Sequence, residues 1–182
     1  MTSGDAFWSI GWLSVDEIHQ GATNLHIDVS TYMSVTEFLQ SSSKYSILLY
    51  DHHYYLQINT TTKRYLFDSA GPSHCQLHLL QYLMYDTYGN VVINCHRYQP
   101  VGSTLCGQYC LFVAWLHARV NPTNLYKTLN TYLVTNDISL TANDFMITYF
   151  TMRYRLGEEF NDTKETAYDI CRRFVNLCDK FD

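Results

Sequence analysis

The residues from Gln99 to Trp115, QPVGSTLCGQYCLFVAW, put a cysteine where a loop becomes a helix. The unpaired N–H groups and the positive end of the helix dipole favour thiolate over thiol at that position, Cys106. Thiolate is the nucleophilic form of cysteine, so the stretch predicts nucleophilic chemistry. Gly107 has no side chain beside the sulfur, and we expect it to let a substrate backbone approach closely.

Attack on an amide by such a sulfur builds negative charge on the carbonyl oxygen, and the site must aim hydrogen-bond donors at that oxygen. Gln99 can supply one donor through its side-chain amide. The backbone N–H of Cys106 can supply a second, provided that the loop between the two residues folds back on itself. These two donors are the predicted oxyanion site.

The nucleophile also needs a base, and the base needs a partner that fixes its tautomer. His53 leads into one predicted strand and Asp68 closes another, so antiparallel pairing of residues 53–58 with residues 64–68 brings the two side chains together. We therefore expect His53 to be the base and Asp68 its orienting acid. The chain order His, Asp, Gln, Cys excludes the papain arrangement, in which the cysteine comes first.

Four segments resemble the family of the adenovirus maturation protease, adenain, with its relatives among viral, transposon-encoded and ubiquitin-like-modifier proteases. The segments are GWLSVDEI, HYYLQIN, YLFDSAG and QPVGSTLCGQYC. The last is the most specific, because its glutamine lies seven residues before Cys-Gly and a second cysteine follows four residues after the first. The resemblance spans residues 11–120, and the later helices match the family only in character.

The resemblance implies a role for each of the four residues: His53 is the general base, Asp68 its orienting acid, Gln99 the side-chain oxyanion donor and Cys106 the nucleophile. The implied reaction is peptide-bond hydrolysis through an acyl-enzyme, with small residues, often glycine, before the cut. The implied substrates are capsid or core precursor proteins of a virus or mobile element. The alternatives are an isopeptidase that removes ubiquitin-like modifiers, and a non-catalytic peptide-binding scaffold.

Three features depart from the family pattern. Tyr54 stands where the family usually has a tryptophan that covers part of the cleft. Counting strand length back from Asn59 selects His52 as the base, whereas His53 puts the aromatic and aliphatic residues of the strand at the expected alternating positions. Cys95 lies four residues before the glutamine, nearer than the family cysteine that takes an activating viral peptide. We therefore predict neither that peptide nor the DNA cofactor of adenain, and another activating peptide stays open.

The elements that must position these residues predict an α+β fold, with a small mixed, largely antiparallel sheet surrounded by helices, which the resemblance also implies. Aromatic and branched residues predict strands at 46–51, 54–59, 64–68 and 90–97. The capping-box patterns Ser14-x-x-Glu17 and Ser34-x-x-Glu37 indicate two helix starts. Apolar spacing predicts further helices at 73–85, 106–118, 123–133, 141–154 and 158–181.

A chain of 182 residues with 47% hydrophobic residues can close one core, so we expect a single cysteine protease domain over residues 1–182. The net charge of -5 gives no general reason to bind nucleic acid, and no obligate nucleic-acid partner is expected. The sequence predicts neither a secretory signal nor a membrane span. We therefore expect an intracellular protein, found in the virion or in the nucleus or cytoplasm of an infected cell if it is viral.

Six cysteines in a reducing compartment predict free thiols and not disulfides. His74 and His78 lie one helical turn apart beside Cys75, and Cys95-His96 offers a second pair, which is a weak indication of zinc. Structural zinc sites prefer paired spacings such as Cys-x-x-Cys, and the sequence has none. We therefore expect neither a metal nor another cofactor.

Overall fold

The predicted capping box begins the first helix, α1 (Val15–Asn24). Ser14 Oγ accepts a hydrogen bond from the backbone N–H of Glu17 at 3.2 Å, and Glu17 Oε1 accepts one from the N–H of Ser14 at 3.1 Å. Each side chain thus satisfies an N–H group that the helix itself leaves free. The local pattern of the sequence is sufficient to start this helix.

A computed structural model describes residues 11–72, 75–88 and 90–155. The further helices are α2 (Val35–Leu39), α3 (Cys75–Tyr88), α4 (Cys106–Val120), α5 (Leu125–Leu129) and α6 (Leu140–Arg155), with a short 3-10 helix at Asp137–Ser139. The strands are β1 (Val29–Tyr32), β2 (Tyr45–Tyr50), β3 (His53–Asn59), β4 (Arg64–Phe67) and β5 (Val91–Ile93). The helix predicted at 158–181 lies outside the described residues. Within them, no helix is long and apolar enough to cross a membrane.

The five strands form one mixed sheet in the order β1-β2-β3-β4-β5. The strands β2, β3 and β4 pair antiparallel in sequence order, and each edge strand joins its neighbour in parallel. Helices pack on both faces, which confirms the α+β class. The prediction missed β1, because only Val29 of its four residues is buried and so it lacks a hydrophobic pattern. The strand predicted at 90–97 shortens to three residues, and the helix predicted at 123–133 to five.

The turn between β2 and β3 determines which histidine begins the strand. Tyr50 pairs with His53, so the connection consists of the two residues Asp51 and His52. Both have positive φ, 50° and 59°, which is the geometry of the tight hairpin turns that follow the twist of the strands. His52 is therefore exposed at the tip of the hairpin, and His53 is the first residue of β3.

Alternate residues of the sheet face two separate cores. Tyr54, Leu56 and Ile58 of β3 pack with α4 in the larger core, whereas Tyr55 belongs to the smaller core on the opposite face. The α4 helix is buried over residues 106–117. This burial makes α4 a rigid support for the residue at its N-terminus.

Candidate active site

The β3–β4 pairing brings His53 and Asp68 together, as the sequence predicts. In the antiparallel register Leu56 lies opposite Phe67, so Asp68 follows the end of β4 beside the beginning of β3. His53 Nε2 and Asp68 Oδ1 are 2.5 Å apart. The Asp68 side chain is fully buried and that of His53 is 15% exposed. His53, and not His52, is thus the histidine that contacts the acid.

Backbone and amide groups hold Asp68 in place. Its Oδ1 accepts a second hydrogen bond from the N–H of Ala70 at 2.8 Å. Its backbone N–H donates to the buried Asn94 Oδ1 at 3.0 Å, and Asn94 Nδ2 donates to its carbonyl at 2.7 Å. Sequence reasoning missed Asn94. Its signal is an amide at the end of the apolar run NVVIN, where a buried polar side chain needs a partner.

The imidazole of His53 links Asp68 to Cys106. Burial alone lowers the pKa of His53, but hydrogen bonds to Asp68 and Cys106, together with electrostatic interactions with both residues, raise it to about 9. Because Nε2 binds Asp68, Nδ1 is the ring nitrogen left for the sulfur. The edge of Tyr55 packs against the ring, with centroids 4.9 Å apart. At neutral pH a histidine with this pKa is protonated, and it lies between a carboxylate and a sulfur.

The first turn of α4 packs tightly against α1 and β3. A Cβ atom on Gly107 would lie 2.9 Å from Ile18 Cδ1 and 3.1 Å from Tyr54 Cδ2. This side of Gly107 is therefore filled by protein, which corrects the expectation that the missing side chain makes room for a substrate. The glycine instead lets the start of α4 approach Ile18 and Tyr54, and so places Cys106 close to the sheet.

The side-chain amide of Gln99 is buried between two serines. Oε1 accepts a hydrogen bond from Ser69 Oγ at 2.5 Å, and Nε2 donates to the carbonyl of Ser103 at 2.7 Å. The N–H of Ser103 donates to the carbonyl of Pro100 at 3.2 Å, and Gly102 has a φ of 82°. The loop between Gln99 and α4 therefore folds back, as an oxyanion site with this glutamine requires. Sequence reasoning missed Ser69.

Two aromatic side chains lie on the α1 side of the site. Tyr54 OH donates to the carbonyl of Leu13 at 2.8 Å, and the ring is buried. Trp12 stacks on Tyr54 with ring centroids 5.4 Å apart and is 41% exposed. The aromatic residue at the position of the family tryptophan is thus a core residue in this chain. The exposed aromatic surface beside it belongs to Trp12.

The sequence gives a weak indication of zinc at His74, Cys75 and His78, with Cys95-His96 as a second pair. Among the described residues, no group of three histidine, cysteine or acidic side chains could hold a metal ion. His74 lies outside the described residues, and His78 Nε2 is 2.8 Å from a backbone carbonyl oxygen. Cys95 is a free, exposed cysteine, whereas Cys106 and Cys110 are free and buried.

Comparison of the chain with protein-family models found no match, and comparison with curated proteins found none either. The family resemblance therefore depends on the four motif segments, and the protease assignment stays a prediction. The contact of His53 with Asp68 and Cys106 is a separate observation, because it follows from strand register and hydrogen bonds and not from the motifs.

Proposed function

We propose that the chain is a cysteine endopeptidase in which Cys106 is the nucleophile and His53 the general base. The observation that carries the proposal is the position of His53, whose ring binds a buried carboxylate on one side and a helix-initial sulfur on the other. This arrangement supports a thiolate and imidazolium pair, the form in which cysteine attacks a carbonyl carbon. Asp68 maintains the tautomer of the ring, and Gln99 supplies an oxyanion donor.

Acylation begins when the sulfur of Cys106 attacks the carbonyl carbon of the scissile peptide bond. The Nε2–H of Gln99 and the backbone N–H of Cys106 stabilise the negative charge that develops on the carbonyl oxygen. His53 gives its proton to the leaving amine, the C–N bond breaks, and a thioester remains on Cys106. Asp68 stabilises the imidazolium while the ring is charged.

Deacylation uses the same groups in the opposite sense. Neutral His53 accepts a proton from water, and the water oxygen attacks the thioester carbonyl at the same oxyanion site. The C–S bond breaks, the sulfur of Cys106 leaves as thiolate, and the carboxylic acid product is released. The protonated imidazole and the thiolate are thereby restored as a pair, and the cycle closes.

The family resemblance supports precursor proteins of a virus or mobile element as substrates, cut after small residues such as glycine. The exposed face of Trp12 beside Tyr54 fits one wall of a groove for an extended peptide. Such a protease would act in virions or infected cells. An isopeptidase that removes ubiquitin-like modifiers uses the same chemistry. The two activities therefore differ in their substrates and not in the arrangement of the site.

A peptide library incubated with the wild-type protein and with Cys106→Ala tests the proposal. We expect cuts that occur only with the wild type and that follow small residues. Capsid-precursor peptides and ubiquitin-like-modifier fusions are compared side by side, and a preference for the fusions would favour the isopeptidase. Identical products from the wild type and Cys106→Ala would refute the proposed endopeptidase activity.

Labelling with a peptide vinyl sulfone is an independent test, because the chain contains a matched control thiol. Cys95 is exposed and Cys106 is 3% exposed, so simple alkylation favours Cys95. A substrate-like vinyl sulfone should instead label Cys106, so that Cys95→Ala keeps the label and Cys106→Ala loses it. Labelling that follows Cys95 would favour the non-catalytic scaffold.

A further inference from the structure

The carboxamide of Gln99 has one orientation that satisfies both of its neighbours. The carbonyl of Ser103 can only accept a hydrogen bond, so it selects the Nε2 end of the amide, 2.7 Å away. The Oε1 end then faces Ser69 Oγ at 2.5 Å, and the hydroxyl must donate to it. Ser69 is fully buried and Gln99 is 4% exposed, so both bonds lie in a medium of low polarity where they are strong.

Ser69 also binds Gln99 through its main chain. The carbonyl of Ser69 accepts hydrogen bonds from the N–H groups of Tyr98 and Gln99, both at 2.9 Å. Ser69 directly follows Asp68, the residue that contacts His53. The segment after β4 thus contains Asp68, which contacts His53, and also Ser69, which bonds to both the main chain and the side chain of Gln99.

The opposite partner of the carboxamide, Ser103, is anchored independently. Its Oγ accepts a hydrogen bond from the N–H of Leu105 at 3.3 Å, and its hydroxyl donates to Asp144 of α6. Asp144 Oδ1 also accepts from Tyr109 OH at 2.8 Å. Removal of the Ser69 hydroxyl therefore releases one end of the carboxamide while the other end keeps its partner.

We infer that Ser69 is a positioning residue that, together with Ser103, holds the Gln99 carboxamide in this orientation and, if the proposed protease function holds, helps to present its Nε2–H to the oxyanion. The amide has two N–H groups at Nε2, and Ser103 takes one of them. Donation by Ser69 to Oε1 draws electron density from the nitrogen, so the second N–H becomes a stronger donor. Without the hydroxyl, Oε1 is buried without that partner, and the amide is held only by its bond to Ser103.

The kinetic test compares Ser69→Ala with the wild type and with Ser46→Ala as a matched control. Ser46 is an equally buried serine whose hydroxyl bonds to Ser41 at 2.8 Å, toward the end of β2 that lies away from His53. We expect Ser69→Ala to lower kcat about 10- to 100-fold with KM changed by less than about threefold, because the lost interaction forms in the transition state. Ser46→Ala should stay within about twofold of the wild type.

A double variant separates positioning from general damage to the fold. If Ser69 acts through Gln99, Ser69→Ala should lower kcat by no more than about twofold further in a Gln99→Ala background. Losses that multiply would overturn the inference. Ser69→Cys has a side chain of similar size whose S–H is a weaker hydrogen-bond donor, so its kcat should be intermediate. This variant replaces Ser69→Ala in the comparison if the alanine variant does not fold.

Nuclear magnetic resonance of the Gln99 side-chain amide tests the inference without a protease assay. The Nε2 proton pair is assigned by its absence in Gln99→Ala. We expect Ser69→Ala to shift this pair and to speed its exchange with water, and Ser46→Ala to leave it unchanged. An unshifted pair would overturn the positioning role. A shifted pair, in a protein whose wild type cleaves no peptide, would support the positioning role and refute the proposed function.

Discussion

Gly71 lies against the backbone of Arg97, and a Cβ atom at Gly71 would stand 2.8 Å from the Arg97 Cα and 2.9 Å from its nitrogen. Gly71 also has a φ of 78°, a conformation that residues with side chains rarely adopt. Because of this contact, the loop that contains Asp68 and Ser69 packs closely against the segment that ends at Gln99. A glycine that is not one of the predicted site residues thus helps to bring Asp68 and Gln99 together.

Gly71→Ala is expected to lower the free energy of unfolding by about 2–4 kcal/mol, because it adds a clash with main-chain atoms to a left-handed backbone penalty of about 1–2 kcal/mol. Gly102→Ala is the matched control, since Gly102 has a φ of 82° and no described atom within 4 Å of the added Cβ. The control should lose only the backbone penalty. Urea denaturation measures both, and equal losses would show that the contact with Arg97 contributes nothing.

The pKa of His53 is expected to be about 9, and NMR titration of its ring protons measures it. Asp68→Asn should lower this pKa further than Cys106→Ala, because Asp68 makes the larger raising contribution. His52→Asn, at the exposed turn, should leave it in place. Since the folded pKa lies above the unfolded value of 6.5, the interaction stabilises the fold below pH 6.5, and this stabilisation is lost as pH rises through about 9. A measured His53 pKa of 6.5 or lower would contradict the contact of His53 with Asp68 and Cys106.

Deprotonation of His53 should limit the rate of the proposed reaction at high pH. We expect kcat/KM to fall as pH rises through about 9, because deprotonated His53 cannot protonate the leaving amine. In Asp68→Asn this basic limb should move to lower pH, and kcat/KM at neutral pH should fall about 10²- to 10⁴-fold. A pH profile with the best library peptide measures both effects. A limb that Asp68→Asn does not move would argue against Asp68 as the orienting acid.

Gly107→Ala tests whether this glycine serves packing or substrate access. The added Cβ meets Ile18 Cδ1 at 2.9 Å, so overpacking should lower the free energy of unfolding by about 1–3 kcal/mol. Ile18→Val removes that methyl group, and the double variant should recover part of the loss. Thermal denaturation compares the three variants. Unchanged stability with a raised KM would instead support close approach of a substrate at Gly107.

His117 should make stability depend on pH in the acid range. Burial beside Tyr45, with a smaller contribution from the charge of Lys44, lowers the pKa of His117 from 6.5 to about 4. Between these values the unfolded chain binds a proton that the folded chain does not, so stability is full above pH 6.5 and falls as pH falls toward 4. The Tm measured from pH 7 to 4 should fall less in His117→Asn, which keeps a hydrogen-bonding group for Tyr45. Parallel curves for the two proteins would contradict this prediction.

Much of the fold follows from short-range patterns. The alternation in β3 and the aromatic run in β4 predict the hairpin that joins His53 to Asp68, because neighbouring antiparallel strands need only a short turn between them. The capping box at Ser14 likewise predicts the start of α1. The same reasoning misses β1, whose parallel partner β2 lies beyond α2 and whose residues are mostly half-buried.

Local pattern is enough to specify the chemical groups of the site: a helix-initial cysteine, a strand-initial histidine, an aspartate after a strand and a glutamine in a loop. Folding in three dimensions selects the atoms that meet. The two-residue turn between β2 and β3 makes His53, and not His52, the first residue of β3. Ile18 and Tyr54 occupy the space beside Gly107, and Gln99 bonds to Ser69, 30 positions away in the chain. Helix and strand patterns arise between residues that are close in sequence, whereas these contacts depend on how closely two distant loops pack.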